Sequence, residues 1–241
     1  RLSGPPAYDG SMDRPLPASA PRVIVARGAE GRRQGSARSL ADDGFDVEEA
    51  GTSEVLIGTA RALPADLVIA DMALPPDGGI DACRALREFS DAYVILLADS
   101  PDEVQAVLAL SVGADDVVPA GVSGRELAAR ARAMLRRPRR EEAPAGPLHA
   151  GNLMADPLGR SVEAAGEVLA VTRVEFDILA VLMEEPHVVV ERDRLGRRVW
   201  GSAWTGDDHV VDVHVSNLRR KLAASPANAE IATVRGVGFR M

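Results

Sequence analysis

The chain has 241 residues, of which 46% are hydrophobic and only 3% aromatic, and its formal net charge is −8. This length suits one large or two modest domains with aliphatic cores. No apolar run approaches the roughly 18 residues that a membrane span needs, and the N-terminus lacks the pattern of a secretory signal. A single cysteine, Cys83, excludes an internal disulfide, so we expect a cytoplasmic protein that makes no membrane contact.

The first half of the chain combines a proline-rich start with a repeating strand–helix pattern. Residues 1–21 contain five prolines and show no hydrophobic period, so we expect them to be disordered. Over residues 22–135, short aliphatic runs alternate with helical stretches, which predicts a doubly wound, flavodoxin-like α/β fold with a five-stranded parallel sheet. The strands are predicted at 23–26, 45–50, 67–71, 93–97 and about 117–118, with a helix after each. Ligands of such sheets bind at the carboxyl ends of the strands, where Asp71 lies.

The second half is organised differently. Residues 136–147 combine charges with prolines and are predicted to form a linker. Residues 148–171 indicate a small antiparallel sheet, and Thr172 and Glu175 form a capping box that starts a helix. Three helices and a glycine-containing hairpin are predicted, at 172–185, 192–200, 208–222 and 233–239. The order of sheet, three helices and hairpin predicts an α+β domain over 148–241.

The third of these helices has two distinct faces. At about 100° per residue, one apolar stripe packs inward, formed by Val211, Val215, Leu218 and Leu222. The opposite face is polar with one apolar position, and consists of His209, Val213, Ser216 and Arg220, with Asp212 and Asn217 at its edges. Asparagine can pair with adenine, arginine with guanine, and valine can touch a thymine methyl group. The pattern predicts DNA reading, but the solvated face of an ordinary amphipathic helix fits it as well.

The local charge of the last segment favours a nucleic-acid partner. Residues 22–135 hold the acidic surplus, with 11 basic and 19 acidic residues. Five basic groups fall in the final segment, namely Arg219, Arg220, Lys221, Arg235 and Arg240. In the hairpin, Gly236 and Gly238 permit a tight turn, from which Arg235 can reach a phosphate or a narrow minor groove. A local patch of this kind can bind phosphates even when the whole chain is acidic.

Two aromatic residues beside this helix have more than one interpretation. Trp200 can pack and also donate its indole N–H to a DNA phosphate, but a plain core position fits nearly as well. His214 lies nearer the buried side of the helix, where a structural histidine is more frequent than a ligand contact. The predicted DNA-binding set is therefore Trp200, His209, Val213, Ser216, Asn217, Arg219, Arg220 and Arg235.

The second half closely resembles the winged-helix effector domain of OmpR/PhoB-type response regulators. The resemblance rests on the segments 171–176, 199–201, 211–215 and 233–239. It implies a winged helix-turn-helix domain whose third helix enters the major groove of DNA and whose Arg235 meets the minor groove. It also implies tandem homodimers on direct repeats spaced by roughly 10–11 bp, and a contact between the loop 202–207 and RNA polymerase.

The first half resembles a CheY-like receiver, in which Asp71 matches the phosphoacceptor. The resemblance rests on Asp71 with the segment 72–79 that follows it, and on 113–116. Phosphoryl transfer to a carboxylate needs charge neutralisation, usually from a divalent metal on oxygen ligands. Where the family has two acidic ligands, a hydroxyl residue, an aromatic and a lysine, this chain has Arg27, Gly28, Ala98, Val117 and Ala120. We therefore expect a degenerate receiver that holds no metal and no cofactor.

Arg27 and Asp71 follow neighbouring strands of the predicted sheet. We predict that they form an ion pair, in which the guanidinium of Arg27 replaces the metal. Removal of either partner would leave a partly buried charge unpaired and would lower stability. The alternative is that Arg27 points into solvent and Asp71 is a relic.

The resemblance also implies dimerisation through the fourth helix, the fifth strand and the fifth helix of the receiver. The residues predicted on this face are Leu108, Asp115, Asp116, Glu126, Arg130 and Arg132. Two positions of the fourth helix that are often basic in the family are Ala106 and Leu108 here. Because exposed ion pairs contribute only about 0–1 kcal/mol each, we expect the dimer to depend more on apolar contact.

The sequence thus favours a bacterial transcription regulator that binds promoter DNA without phosphorylation and is not an enzyme. One rival is a conventional two-component response regulator phosphorylated at Asp71. The other is a small α/β enzyme fused to an interaction module. The enzyme has little support, because the chain offers no glycine-rich phosphate loop, no Ser/His/Asp order and no metal-spaced Cys/His cluster.

Overall fold

The structure is a computed structural model that describes residues 20–28, 35–99, 103–135, 146–201, 204 and 208–241. The segments predicted to be a disordered start (1–21) and a linker (136–147) lie almost entirely outside these residues. The N-terminal half, up to Leu135, alternates strands and helices as the sequence predicts. Its elements are β1 (Arg22–Ala26), α1 (Ser36–Asp42), β2 (Asp46–Ala50), α2 (Ser53–Ala62), β3 (Leu67–Asp71), α3 (Gly79–Arg87), β4 (Tyr93–Ala98), α4 (Glu103–Ser111), β5 (Asp116–Pro119) and α5 (Gly124–Leu135).

The five strands form one parallel sheet in the order β2-β1-β3-β4-β5. Its central strands β1, β3 and β4 consist largely of buried aliphatic residues, because α1 and α5 cover one face and α2, α3 and α4 cover the other. The predicted doubly wound α/β fold is confirmed. Since all strands run in one direction, Asp71 and Ala98 end at the carboxyl edge of the sheet, whereas Tyr93 and Asp116 begin at its amino edge.

The C-terminal half, from Leu148, has the predicted winged-helix architecture. An antiparallel sheet in the order β6-β7-β8-β9 precedes three helices, and a small sheet in the order β10-β12-β11 completes the wing. Its elements are β6 (Leu148–Ala150), β7 (Leu153–Asp156), β8 (Ser161–Ala164), β9 (Glu167–Val168), α6 (Arg173–Glu184), β10 (Val190–Glu191), α7 (Arg192–Trp200), α8 (Asp208–Ala223), β11 (Ala232–Val234) and β12 (Gly238–Arg240).

Local sequence explains where several of these elements begin and turn. The predicted capping box of α6 is present, because the Thr172 hydroxyl accepts the Glu175 amide at 3.3 Å and the Glu175 carboxylate accepts the Thr172 amide at 2.7 Å. In the wing, Gly236 has a φ of +71°, which favours glycine at the turn. A Cβ atom at Gly238 would collide with the Val190 carbonyl, so only glycine lets β12 lie this close to β10.

The two halves share one apolar core. A single cluster of buried side chains runs from the α1/α5 face of the parallel sheet into the C-terminal half, and α4 lies beside α8 while α5 lies beside α7. A second cluster fills the other face of the sheet and contains Cys83, whose thiol pKa burial raises to about 11. Cys83 is therefore an unreactive core residue. Within the described ranges, no helix is both long and apolar enough to cross a membrane.

Candidate phosphoacceptor pocket and nucleic-acid interface

The predicted ion pair between Arg27 and Asp71 is present at the carboxyl edge of the sheet. Arg27 Nε lies 3.0 Å from Asp71 Oδ1, and the Gly28 amide donates to Asp71 Oδ2 at 3.2 Å. The same guanidinium donates to the Ser36 hydroxyl at 2.8 Å and to the Ala120 carbonyl at 3.3 Å. Arg27 is only 2% exposed, which excludes the alternative that it points into solvent. It ties together the ends of β1 and β3, the start of α1 and the segment after β5.

The electrostatics of this pocket depend on Arg27. Burial raises the pKa of Asp71 above its ordinary value, and the Arg27 charge and the Gly28 amide oppose that effect while nearby Asp99 adds to it. A divalent cation prefers several oxygen ligands. Among the described residues, no group of three or more His, Cys, Asp or Glu side chains is placed to hold a metal. With a guanidinium against the carboxylate, the described pocket does not fit the divalent metal of the receivers that it resembles.

The remaining predicted pocket residues are small and apolar. Ala98 ends β4 and is 2% exposed, and Ala120 follows β5 and is 5% exposed. Val117 lies within β5 and packs against the core cluster under α3 and α4. At these three positions the pocket therefore has only small aliphatic groups where a hydroxyl, an ammonium and an aromatic ring would be expected from the receiver resemblance.

The inner face of α8 agrees with the sequence prediction. The apolar stripe is buried with at most 4% exposure, and comprises Val211, Val215, Leu218 and Leu222. On the opposite face, Ser216 and Arg220 are exposed and His209 is partly exposed. This exposed part of the face carries the polar and basic groups that could reach a base edge or a phosphate.

The rest of the predicted reading face is covered by α4. The Asn217 side-chain amide donates to the Leu110 carbonyl near the end of α4 at 3.1 Å, and Val213 is 8% exposed. At the other end of the contact, His209 Nε2 lies 3.9 Å from Glu103, the first residue of α4. The two helices thus lie side by side and parallel. A duplex cannot reach Asn217 or Val213 while α4 holds this position.

A polar network joins the two halves at the amino edge of the sheet. The backbone carbonyl of Asp115 lies 3.1 Å from Trp200 Nε1, which donates to it, and 3.2 Å from His214 Nε2. The Tyr93 hydroxyl donates to Asp177 at 2.7 Å, and Arg160 donates to the same carboxylate at 2.8 Å. We call this region the seam, defined by Tyr93, Asp115, Arg160, Asp177, Trp200 and His214.

The seam and the contact between α4 and α8 change the interpretation of three predicted DNA contacts. In this conformation the Trp200 indole bonds to a backbone carbonyl rather than facing a phosphate, Asn217 bonds to the Leu110 carbonyl of α4, and Val213 is buried. The physical reason is that each of these groups has its donor or its apolar surface satisfied within the chain. His214 is a buried histidine, 1% exposed, as the sequence favoured. The partners Tyr93 and Asp177 were not predicted, because nothing local in the sequence marks two residues that meet across 84 positions.

Comparison with known proteins identifies the family. Residues 23–132 match the family described as "Response regulator receiver domain", and residues 166–241 match "Transcriptional regulatory protein, C terminal". The chain is 40% identical over 202 residues to the "DNA-binding response regulator MtrA" of Mycolicibacterium smegmatis, a match that covers 83% of this chain and 88% of that protein. It is 35% identical over 223 residues to the "Sensory transduction protein RegX3" of the same species, which covers 91% and 98% respectively.

The chain belongs to the OmpR/PhoB family of response regulators. It is a DNA-binding regulator with a receiver in its N-terminal half and an effector domain in its C-terminal half. A solved structure of a RitR mutant superposes with a TM-score of 0.73 at 23% identity, covering 92% of this chain and 99% of that one. At that level of identity the likeness shows a shared fold.

The predicted dimer face of the receiver is partly occupied within the chain. Asp115 is fully buried and pairs with Arg87 at 2.7 Å. Asp116 is 3% exposed and pairs with Arg130 at 3.0 Å, and Arg132 pairs with Asp43, the residue after α1, at 2.9 Å. Ion pairs between two copies of the chain were expected at Asp115 and Asp116. In this conformation both carboxylates are instead buried and paired within one chain. The exposed members of the predicted face are Leu108, Glu126 and Arg132.

The wing and the loop before α8 show which other predicted contacts are accessible. Arg235 is exposed at the tip of the wing, as its predicted role requires. Arg219 instead binds the base of the wing, donating to the Ile231 carbonyl at 2.8 Å and to the Thr233 hydroxyl at 2.7 Å, so it holds the wing against α8. Of the loop 202–207 only Trp204 is described, and it stacks on Trp200 with ring centroids 5.6 Å apart. The predicted polymerase contact otherwise lies outside the described residues.

Proposed function

We propose that this response regulator binds its operators without phosphorylation of Asp71. The observation that carries the proposal is the ion pair between Arg27 and Asp71, in which a buried guanidinium takes up Oδ1 of the carboxylate at 3.0 Å. The other oxygen accepts the Gly28 amide. Both oxygens of the candidate nucleophile are therefore engaged by groups of the chain itself.

Phosphoryl transfer to Asp71 would require the pocket to change. A carboxylate oxygen must approach the phosphorus atom in line, and the charge on the moving group must be neutralised. Within the described part of the pocket, the cation in contact with Asp71 is Arg27, which is already bound to the nucleophile. Moving Arg27 away would break the ion pair between a buried guanidinium and Asp71. The pocket thus opposes the reaction that it would have to support.

We further infer that α8 reads the operator and that the wing touches the DNA backbone. The support is the exposure of Ser216 and Arg220 on α8 and of Arg235 in the wing. Asn217 can join this surface only after α4 moves away, because its amide is bound to Leu110. Homodimers on direct repeats, spaced by roughly 10–11 bp, belong to the same proposal. So does a contact between residues 202–207 and RNA polymerase.

In this proposal the receiver competes with DNA for the same helix. The Leu110 carbonyl occupies the amide donor of Asn217 that would otherwise pair with a base. When only a fraction of the molecules is open, the apparent dissociation constant for DNA rises by the inverse of that fraction. Regulation would then act on the ratio of open to closed molecules, without an acyl phosphate.

Mass spectrometry and operator binding together test this function. After incubation with acetyl phosphate and magnesium, we expect the intact mass of the chain to be unchanged. Operator DNA would be obtained by selection from a random-sequence library, and Asp71→Asn should alter its affinity no more than the control Asp99→Asn, which changes an exposed acidic residue near the same pocket.

Two results would favour the conventional two-component alternative instead. One is a phosphorylated species that is absent from Asp71→Asn. The other is a loss of operator affinity of about tenfold in Asp71→Asn, which corresponds to about 1.4 kcal/mol, with no loss in Asp99→Asn. Failure to select any DNA sequence would contradict the regulator itself.

A further inference from the structure

The seam contains a histidine whose ring is only half satisfied. His214 lies on α8, is 1% exposed, and has Nε2 at 3.2 Å from the Asp115 carbonyl. A carbonyl can only accept, so Nε2 carries the hydrogen and Nδ1 carries the lone pair. His214 Nδ1 is buried and has no hydrogen-bond partner among the described residues. The geometry therefore accommodates the neutral ring and offers no acceptor for a second N–H group.

The charges that face His214 are already paired with one another. They come from β5 and the residue before it, from α3, α5 and α6, and from α8 itself. They form the pairs Asp115–Arg87, Asp116–Arg130 and Glu175–Lys221, with contacts of 2.7, 3.0 and 2.5 Å. The Trp200 ring covers another side of the imidazole, with centroids 5.7 Å apart. Since each carboxylate is matched by its own cation, the surroundings do little to compensate a new positive charge on His214. Burial lowers the pKa of His214, and the neighbouring carboxylates offset this only in part.

We propose that protonation of His214 in mildly acidic solution releases α8 from the receiver and so exposes the DNA-reading face. The proposal deepens the proposed function and rests on it, because it takes the contact between α4 and α8 as the cover that DNA must displace. Only the contact between α8 and the receiver opens in this release. The Nε2 atom of His214 bonds to the receiver, so water reaches that edge of the ring once the receiver leaves.

The direction of the pH effect follows from linkage. His214 binds a proton less readily in the closed form than in an open form, where its pKa returns toward the ordinary value near 6.5. The closed form is therefore favoured at neutral pH and loses that advantage as the pH falls below about 6.5. The ratio of open to closed molecules should rise by up to about tenfold per pH unit until the lower pKa of the closed form is reached.

Protonation of other groups at this contact shifts the balance between the open and closed forms in the opposite direction. Burial raises the pKa of Asp115 and Asp116, so their protonation would favour the closed form. His209 lies at the same contact, with Nε2 3.9 Å from Glu103. His149 and His187, the remaining two of the four histidines, are exposed. An acid-driven opening can therefore be assigned to His214 by replacing that residue alone.

The experiment uses the full chain and its own tryptophans. Both tryptophans, Trp200 and Trp204, lie at or beside the seam, so their emission maximum reports on its opening. Emission and the radius of gyration from small-angle scattering would be recorded from pH 8 to pH 5. We expect a red shift and an expansion below about pH 6.5, accompanied by at least a threefold gain in operator affinity between pH 7.5 and pH 5.5.

Variants separate His214 from the other titrating groups. His214→Gln keeps an amide donor for the Asp115 carbonyl but cannot be protonated, and it should hold its pH 8 emission and size down to pH 5.5. His209→Gln should open as the wild type does. Opening that persists in a folded His214→Gln variant, checked by circular dichroism, would overturn the proposal.

Wild-type measurements keep the proposal testable even if His214→Gln does not fold. A wild type whose emission and size stay constant from pH 8 to pH 5.5 would also overturn it, while leaving operator binding at pH 7.5 intact as evidence for the proposed function. If acid opens the molecule but operator affinity does not rise, the acid release stands and the covering role of α4 fails.

Discussion

Replacing Arg27 by Met should destabilise the receiver by about 3 kcal/mol, because it breaks a buried ion pair by removing one partner. The guanidinium contacts Asp71 Oδ1 at 3.0 Å, the Ser36 hydroxyl at 2.8 Å and the Ala120 carbonyl at 3.3 Å. In this variant the Asp71 side chain, which is 15% exposed, still accepts a hydrogen bond from the Gly28 amide. The cost should therefore fall at the low end of the usual 3–5 kcal/mol for broken buried pairs.

A double-mutant cycle turns this estimate into a test of the pair. Asp71→Leu alone removes the carboxylate that pairs with a guanidinium that is 2% exposed, and should cost about 4 kcal/mol. Arg27→Met combined with Asp71→Leu should cost clearly less than the sum of the two, because an apolar pair can replace a buried ion pair. Urea denaturation followed by circular dichroism gives each free energy of unfolding.

The pH dependence of the Arg27→Met variant gives a second check. Burial already raises the pKa of Asp71, and loss of Arg27 should raise it further. An acid whose folded pKa is raised stabilises the folded state below its unfolded pKa, and this contribution is lost as the pH rises through the folded pKa. The cost of Arg27→Met should therefore shrink as the pH falls from neutral toward the ordinary aspartate pKa of about 3.9 and Asp71 takes up a proton.

A matched control and two outcomes decide whether the Arg27–Asp71 pair stabilises the receiver. Arg38 lies exposed on α1, so Arg38→Met should change stability by less than about 0.5 kcal/mol. A cost for Arg27→Met no larger than that of the control would refute the reasoning. So would strictly additive single and double mutants, because additivity means that the two side chains do not stabilise each other.

Three further outcomes follow from the effector domain and its contact with the receiver. Asn217→Ala and Arg220→Ala should each cost about 1–3 kcal/mol of operator binding and relax base preference, whereas Arg235→Ala should weaken binding evenly across sequences, as measured by competition gel shift. Tyr93→Phe removes a hydrogen bond from the seam to the Asp177 carboxylate, worth about 1.5 kcal/mol. Because this weakens the contact that holds the closed form, operator affinity should rise, and an unchanged affinity would argue against α4 as the cover of α8. Limited proteolysis should cut first within the proposed linker 136–147 and release two stable fragments; early cuts elsewhere in 22–135 or 148–241 would contradict the proposed boundaries.

Much of the fold follows from local patterns in the sequence. A helix is predicted after the second strand, and α2 spans Ser53–Ala62 there, because its cap and apolar spacing lie within one short stretch. The inward stripe of α8 follows from helical periodicity in the same way. Even the Arg27–Asp71 pair was predictable, since neighbouring parallel strands bring residues that follow them to one edge of the sheet.

The same patterns could not predict what contacts the polar face of α8. Periodicity places Asn217 and Val213 away from the core stripe of α8, but a DNA groove and a neighbouring helix satisfy such side chains equally well. Asn217 meets Leu110 across 107 positions, and Trp200 meets Asp115 across 85. Their donors are used inside the molecule because the receiver packs there.

The sequence by itself thus determined the two folds, the family resemblance and the chemistry that faces Asp71, since each depends on residues close in the chain or on the order of strands in one sheet. The tertiary structure alone decided that α4 lies on α8 and that His214, Trp200 and Asp115 meet at one seam. Contacts between the two halves depend on complementary surfaces that no local period encodes, which is why only the tertiary structure could establish this part of the regulator.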